Sequence, residues 1–343
     1  MGDAFGVIDH VRNANHLPRV RQARKVKMKN HVKAVPLVLM ILFAGAISVI
    51  GIASAVDTAH AAEVTLLYNG SVNAELHDCG CKKRPLGGLA RRAALIDELS
   101  TGHDVLLLDA GNLMGDPTRD SSAQSSFVAV QTAAMGYEVV GMGAYEFGHG
   151  ADAVRQAAQA SGLRFVSANL DADDNAGVER WVVVERDGVR FGVTSVIDPG
   201  YDRAPYDEGP GGLRITDPVA ALERELPLLR AECDVVVLLA NMEGSEGSLR
   251  LLQELGDGAV DIVIDGAGSR QNRRPLEVGT SLVLAANGRG KYLGETALVI
   301  EGGTVTAPST AVHALDVKLP EDEGIAHEVS EFEATQETLA QSR

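Results

Sequence analysis

Three features of the sequence predict an α/β fold in four layers, an α/β/β/α sandwich. Between residues 64 and 167, short apolar runs alternate with longer amphipathic stretches, the pattern of strands joined by helical crossovers. Between residues 181 and 197, Asp187-Gly188 separates two β-branched runs, the signature of a tight hairpin. Further apolar runs at 281–286, 295–300 and 304–315 predict antiparallel strands that close a second sheet. Two sheets with their helices outside give the sandwich.

Residues 64–68 read as the first buried strand, and 87–99 as a helix with Leu89, Ala93, Ile96 and Leu99 on one face. The unit then repeats. A strand at 105–108 ends in Asp109-Ala110-Gly111-Asn112, and a helix follows at 125–135. A strand at 139–142 ends in the loop 143–150, followed by a helix at 151–161 and a strand at 164–167. After the hairpin, 201–212 is a loop rich in Gly, Pro and Asp, and 218–230 restores a helix. Strands at 234–239 and 262–265 run into Ala240-Asn241-Met242-Glu243 and Gly266-Ala267-Gly268-Ser269. α/β sheets place ligands at such strand ends. From Pro320 the chain is acidic and reads as a helical tail anchored by Ile325, Val329 and Phe332. No internal repeat or low-complexity linker interrupts it, so residues 62–317 are expected to form one domain and 318–343 a tail.

The composition, 45% apolar and 23% charged over 343 residues, is that of a globular chain with a full core. The formal net charge is −16, and the first 61 positions hold 8 basic against 3 acidic side chains, so the remainder is more acidic still. Such a body excludes nucleic acid as a partner and repels anionic lipid, and no basic patch is legible after Arg92. Residues 1–61 read as an export signal. Basic residues from Arg19 to Lys33 precede an uncharged apolar run at 35–56, and Ala59-His60-Ala61 offers a cleavage site before Ala62. Met28 is an alternative start. The rival reading is an uncleaved anchor at 35–56, long enough to span a bilayer and then the only membrane contact. Both readings place the body in a periplasmic or extracellular setting, where a cysteine pair persists as a disulfide.

The strand-end motifs, taken together, resemble the metallophosphatase domain of the 5′-nucleotidase family, within the calcineurin-like phosphoesterases. The family's first loop, Thr-Ile-Leu-His-Thr-Asn-Asp-x-His-Gly-x-Leu, lays onto Thr65 to Leu76 without a gap. Its Gly-Gly-x-Ala-Arg matches Gly87 to Arg91, its Asp-x-Gly-Asp matches Asp109 to Asn112, and its Gly-Asn-His-Glu-Phe-Asp-x-Gly matches Gly143 to Gly150. Its Ser-His-Leu-Gly falls on Ala240 onward and its Gly-His-Ser-His on Gly266 to Ser269. The resemblance covers roughly residues 63–315 and implies the metallophosphatase sandwich; the family's nucleotide-recognising C-terminal domain has no counterpart in it.

The resemblance also implies where two metal ions would be held, and the residues at those positions differ from the family's. The first-loop Asp falls on Ser71 and the His on Asn73; the bridging Asp falls on Asn112. The Asn and catalytic His fall on Ala144 and Tyr145, the next His on Asn241, and the last pair on Ala267 and Ser269. A two-metal hydrolase stabilises the attacking and leaving oxygens with paired dications, and neutral amides do not replace a bridging carboxylate and several imidazoles. After the leader the histidines are His77, His103, His149, His313 and His327, of which only His77 and His149 fall in site-forming loops. A two-metal centre is therefore not expected, although a single metal is compatible with the sequence. Asp109, Glu146, Glu243 and Asp265 lie at strand ends and could hold one hard ion, or instead satisfy loop amides. Arg91 and Arg92 lie on a helix and read as surface or ion-pairing side chains.

What the first loop carries instead is His77-Asp78-Cys79-Gly80-Cys81, followed by Lys82, Lys83 and Arg84. Cysteines two apart close a small ring whose strain makes a disulfide more readily reduced, and the adjacent cations favour thiolate. The motif is similar to that of an exported nucleotidase-like subgroup, some of whose members carry selenocysteine there. Three readings stay open: thiol redox chemistry at Cys79 and Cys81 with an unidentified partner, a disulfide that only stiffens the loop, and a soft-metal site built from His77, Cys79 and Cys81. Cys233, beside an apolar strand, reads as a buried thiol. The expected function is thus an exported 5′-nucleotidase-like protein working through its Cys-Gly-Cys pair. The alternatives are a phosphoesterase with altered ligands and a non-catalytic binding or scaffold protein using the cleft.

Overall fold

The computed structural model describes residues 61–148, 150–171, 177–200, 214–244, 246–268 and 270–342. The expected leader or anchor at residues 1–61, apart from Ala61, lies outside them, as do Met28, the expected loop at 201–212, His149 and Ser269. Among the described residues no helix is long and apolar enough to cross a membrane.

The first half runs β1 (Ala62–Asn69), α1 (Leu89–Ser100), β2 (Val105–Asp109), α2 (Ser122–Ala134), β3 (Val139–Gly141), α3 (Ala144–Gly148), α4 (Ala151–Ser161), β4 (Arg164–Val166), β5 (Leu170–Asp171) and β6 (Val178–Glu179). The second runs β7 (Trp181–Arg186), β8 (Val189–Ile197), β9 (Arg214–Ile215), α5 (Pro218–Glu232), β10 (Val235–Asn241), α6 (Gly247–Leu255), β11 (Ile262–Asp265), β12 (Leu276–Val278), β13 (Ser281–Leu284), β14 (Tyr292–Glu301), β15 (Thr304–Ala314) and α7 (Glu323–Gln341). One sheet has the order β15-β14-β1-β2-β3-β4-β6 and the other β12-β13-β11-β10-β8-β7. The predicted hairpin joins β7 to β8, with Asp187 and Gly188 both at positive φ, as a tight two-residue turn requires.

Alternation along the strands produces the four layers. Leu66, Tyr68, Leu106 and Leu108 meet Val193, Val237 and Leu239 between the sheets. Leu67, Leu107 and Val140 face the other way and pack with Leu89, Ile96, Val128 and Val154 of α1, α2 and α4. On the far side, Val236, Leu238 and Val263 pack with Leu222, Leu226 and Leu251 of α5 and α6. Each fully buried aliphatic side chain contributes about 1.5–3 kcal/mol, so the periodicity accounts for the layering energetically.

The sequence expectation fails at one point of topology. The runs at 281–286, 295–300 and 304–315 do not close the second sheet together. β13 joins that sheet parallel to β11, whereas β14 pairs antiparallel with β1 and carries β15 to the edge of the first sheet. Periodicity defines a strand's faces but not its neighbour, and the apolar β1 needed a second partner. Gly294 permits the pairing, since a Cβ there would stand 2.3 Å from the Tyr68 ring. The short α3, not anticipated, has too few residues to show a helical period, whereas α6, also not anticipated, is a stretch of strong helix formers that buries Leu251 and Leu252.

The tail forms α7, capped by Asp322, whose Oδ1 accepts from Ile325 N at 2.8 Å. Ile325, Val329 and Phe332 pack against the first cluster, and the Phe332 ring stacks on Phe127 of α2 with centroids 4.5 Å apart.

Candidate functional site

β1, β2, β3, β10 and β11 all deliver loops at the carboxyl ends of parallel strands. These loops bring Ser71, Asn73, Asn112, Tyr145 and Asn241 together through hydrogen bonds. Ser71 Oγ donates to Gly266 O at 2.8 Å, and Asn73 N donates to Asn112 O at 2.8 Å. Asn112 Nδ2 approaches Asn241 Oδ1 at 3.4 Å, and Asn112 Oδ1 accepts from Tyr145 N at 3.1 Å. Asn241 Nδ2 reaches Ala110 O at 3.4 Å and Gly266 O at 3.3 Å. Ala144 and Ala267 are buried beside this network. The loops press together closely: a Cβ on Gly266 would stand 2.0 Å from Ala110 O, and one on Gly143 2.3 Å from Asn112 Oδ1. Ser71, Asn73, Ala74 and Asn112 hold positive φ in these turns, a strained conformation that the closed network maintains.

The strand-end carboxylates serve the loops. Glu146, wholly buried, accepts backbone N–H bonds from Asn112 and Met114 at 3.0 Å and from Gly143 at 2.7 Å. Burial raises its pKa, while those N–H groups pull it down. Asp109 accepts from Asn69 Nδ2 and, at 2.8 Å, from Gly111 N, and Tyr137 donates its hydroxyl to Asn69 Oδ1. Burial pushes the Asp109 carboxyl from 3.8 up to about 8, against the opposing Gly111 N–H. Burial likewise lifts Asp265 to about 6, opposed by the Ala267 N–H and by Arg270. Glu243 is exposed. Among the described residues no three His, Cys, Asp or Glu side chains are grouped as metal ligands would be.

Cys79 and Cys81 lie further along the same loop and are joined as a disulfide across Gly80, with their Cα atoms 5.3 Å apart. Gly80 takes φ +59 with open space around its Cα, and its N–H is held by Asp78 Oδ1 at 2.8 Å. Cys79 N bonds to Leu86 O at 2.9 Å, which ties the motif to the Pro85-Leu86-Gly87 turn. Cys79 is half-buried and Cys81 exposed. The disulfide forms part of the wall of a cleft of ≈ 450 Å³. His77 also lines this cleft, but its Nε2 is 2.7 Å from Glu333 Oε1 of α7. Cys233 is separate and buried, and burial raises its thiol pKa.

The remaining charged lining sets Arg119, Arg289 and Lys291 against Glu75 and Asp78, a net positive wall that the sequence did not reveal. Arg119, Arg289 and Lys291 converge on the disulfide from the turn before α2 and from the Gly288-Arg289-Gly290-Lys291 turn before β14. The glycines of that turn were the only legible signal, since they mark a loop. Arg91 pairs with Glu321 at 2.7 Å, as an ion-pairing side chain should. Arg92 departs from the surface expectation. It is 1% exposed, and none of its three guanidinium nitrogens has a hydrogen-bond partner.

By sequence, no protein-family model and no curated protein matches the chain. By structure it is similar to the 5′-nucleotidase precursor of Thermus thermophilus, at 21% identity and TM-score 0.68 over 81% of this chain and 60% of that one. It is also similar to the NAD nucleotidase of Haemophilus influenzae, at 14% identity and TM-score 0.69 over 82% of this chain and 61% of that one. The calcineurin-like phosphoesterase YfkN of Bacillus subtilis aligns at 18% identity and TM-score 0.61, over 80% of this chain and 98% of the other. The chain thus spans about 60% of the length of the two nucleotidases. The order of strands, the two-sheet core and these likenesses agree: the chain has the metallophosphatase fold of the 5′-nucleotidases and calcineurin-like phosphoesterases.

Proposed function

We propose that this is an exported protein of nucleotidase fold that has given up two-metal phosphoester hydrolysis and works through thiol–disulfide exchange at Cys79 and Cys81. The observation that carries the proposal is the position of the disulfide, with Cys81 exposed, on the wall of a ≈ 450 Å³ cleft. A disulfide that only stiffened the loop would need no such access. Lys82 and Lys83 follow Cys81 directly, and cations favour the departing thiolate.

The donor set at the strand ends does not fit two metal ions. Ser71, Asn73, Asn112 and Asn241 supply only neutral oxygens; Asn241 Oδ1 already accepts from Asn112 Nδ2, Asn112 Oδ1 from Tyr145 N, and the Ser71 hydroxyl donates to Gly266 O. Ala144 and Ala267 supply none from their side chains, and neutral donors do not offset the dehydration of paired dications. A soft metal at His77, Cys79 and Cys81 would require reduction of the disulfide and release of His77 from Glu333.

The test is a single purified sample. Native protein is expected to gain two reactive thiols on mild reduction without unfolding, to contain no stoichiometric metal pair, and to leave a generic phosphate ester intact with added manganese. Metal pairs with ester turnover would establish the hydrolase reading suggested by the nucleotidase names of its structural neighbours. A disulfide that opens only on unfolding would leave the cysteines a structural role.

A further inference from the structure

We infer that the cleft beside Cys79–Cys81 selects small thiols that carry a carboxylate; this rests on the exchange reading above and specifies its substrate class. The charges on the cleft wall do not cancel. Arg289 is paired with Glu75, and Asp78 is engaged by Gly80 N and by Arg91 at 3.6 Å. Arg119 and Lys291 have no ion-pair partner among the described residues, so two cations stand unpaired beside the sulfurs and the charged lining, three cations against Glu75 and Asp78, is net positive. This sits on a chain of net charge −16, so the preference for anions is local to the cleft.

A second observation points the same way. The unpartnered Arg92 lies beneath the Arg289-Gly290-Lys291 turn: its Nη2 is 2.8 Å from where a Cβ on Gly290 would stand. A buried cation without a hydrogen-bond partner is costly, and its field is weakly screened. It adds positive potential behind the same wall. The cleft volume suits a small molecule.

The step balances as a stoichiometric two-electron exchange. The substrate thiolate attacks Sγ of the exposed Cys81; the Cys79–Cys81 bond breaks, a substrate–Cys81 disulfide forms, and Cys79 leaves as thiolate. A second substrate thiolate attacks the substrate sulfur of that mixed disulfide, which releases Cys81 as thiolate and forms the substrate disulfide. Both cysteine thiolates take protons from water. Two substrate thiols are oxidised and one protein disulfide is reduced.

The probes are 3-mercaptopropionate, 2-mercaptoethanol and cysteamine, which are anionic, neutral and cationic. Each rate of reduction of the full chain is divided by that thiol's rate with a small neutral disulfide, which removes intrinsic thiol reactivity. Two unit charges taken at a separation of about 6–7 Å in water set an upper limit of about tenfold on the normalised preference for the anionic over the neutral thiol, with cysteamine slowest. The preference should fall to within about twofold in Arg119→Gln/Lys291→Gln and in high salt. It should rise in Glu75→Gln, which frees Arg289. Equal normalised rates for the three thiols would overturn the inference and leave exchange standing. Failure of every thiol to reduce the native disulfide would remove both.

Discussion

Burial drives the Asp109 carboxyl toward its protonated form in the fold, and its replacement by Asn tests that directly. The carboxyl is fully buried and pushed from 3.8 up to about 8, mainly by burial. The folded protein therefore keeps a proton that the unfolded chain releases above pH ~4, so stability falls as pH rises toward about 8. The slope for one proton is about 1.4 kcal/mol per pH unit, or roughly 3 kcal/mol between pH 5 and 7. Asp109→Asn removes this group while keeping an acceptor for Gly111 N–H. The Asn69 amide can turn to meet the new NH2, because the Tyr137 hydroxyl both donates and accepts. Urea unfolding of both proteins at pH 5, 6, 7 and 8 gives the comparison. The variant's stability relative to the parent should climb with pH by roughly the amount stated. Asp265 titrates in both proteins and drops out of the difference, whereas Glu146, whose charge helps to push the Asp109 carboxyl up, is coupled to it, so the difference reports the pair. Parallel stability profiles would show that Asp109 is ionised in the fold and that its hydrogen bonds outweigh its burial.

Thiol counting should find one free thiol, Cys233, when the unreduced protein is denatured, and three after reduction; Cys79→Ser should leave Cys81 reactive in the native state. Phe332→Ala removes the ring stacked on Phe127 and should cost about 2 kcal/mol in denaturant unfolding, with earlier proteolytic cleavage in α7. Gly266→Ala forces a methyl onto Ala110 O and should destabilise by at least about 2 kcal/mol. At Gly80, where φ is +59 and the space is open, the same substitution should cost only about 1 kcal/mol; similar thermal shifts for the two variants would refute the close packing of the strand-end loops.

Much of the architecture was legible because it is local. The alternation of Leu66, Leu67 and Tyr68, or of Val236 and Val237, states which face of each strand is buried before any partner is known. Asp187-Gly188 dictated its hairpin through the positive φ that both residues accept. The residues at the strand ends, and Cys79-Gly80-Cys81 after them, were fixed by position in the chain. The sequence left open whether Glu146 held an ion or the loop amides; three N–H bonds in the fold give it the second task.

The sequence alone thus determined the layers, the neutral residues at the positions where the resemblance places metal ligands, and the presence of a cysteine pair with cations after it. Only the tertiary structure decided that β14 leaves the second sheet to pair with β1, and that Arg92 is buried. It also decided that Arg119, Arg289 and Lys291 stand around the disulfide. Arg119 comes from a segment far in sequence from the turn that carries Arg289 and Lys291, in a chain that is acidic on average, so no window of sequence holds the whole patch. Charge acts through space, and loop closure rather than periodicity sets which charges become neighbours.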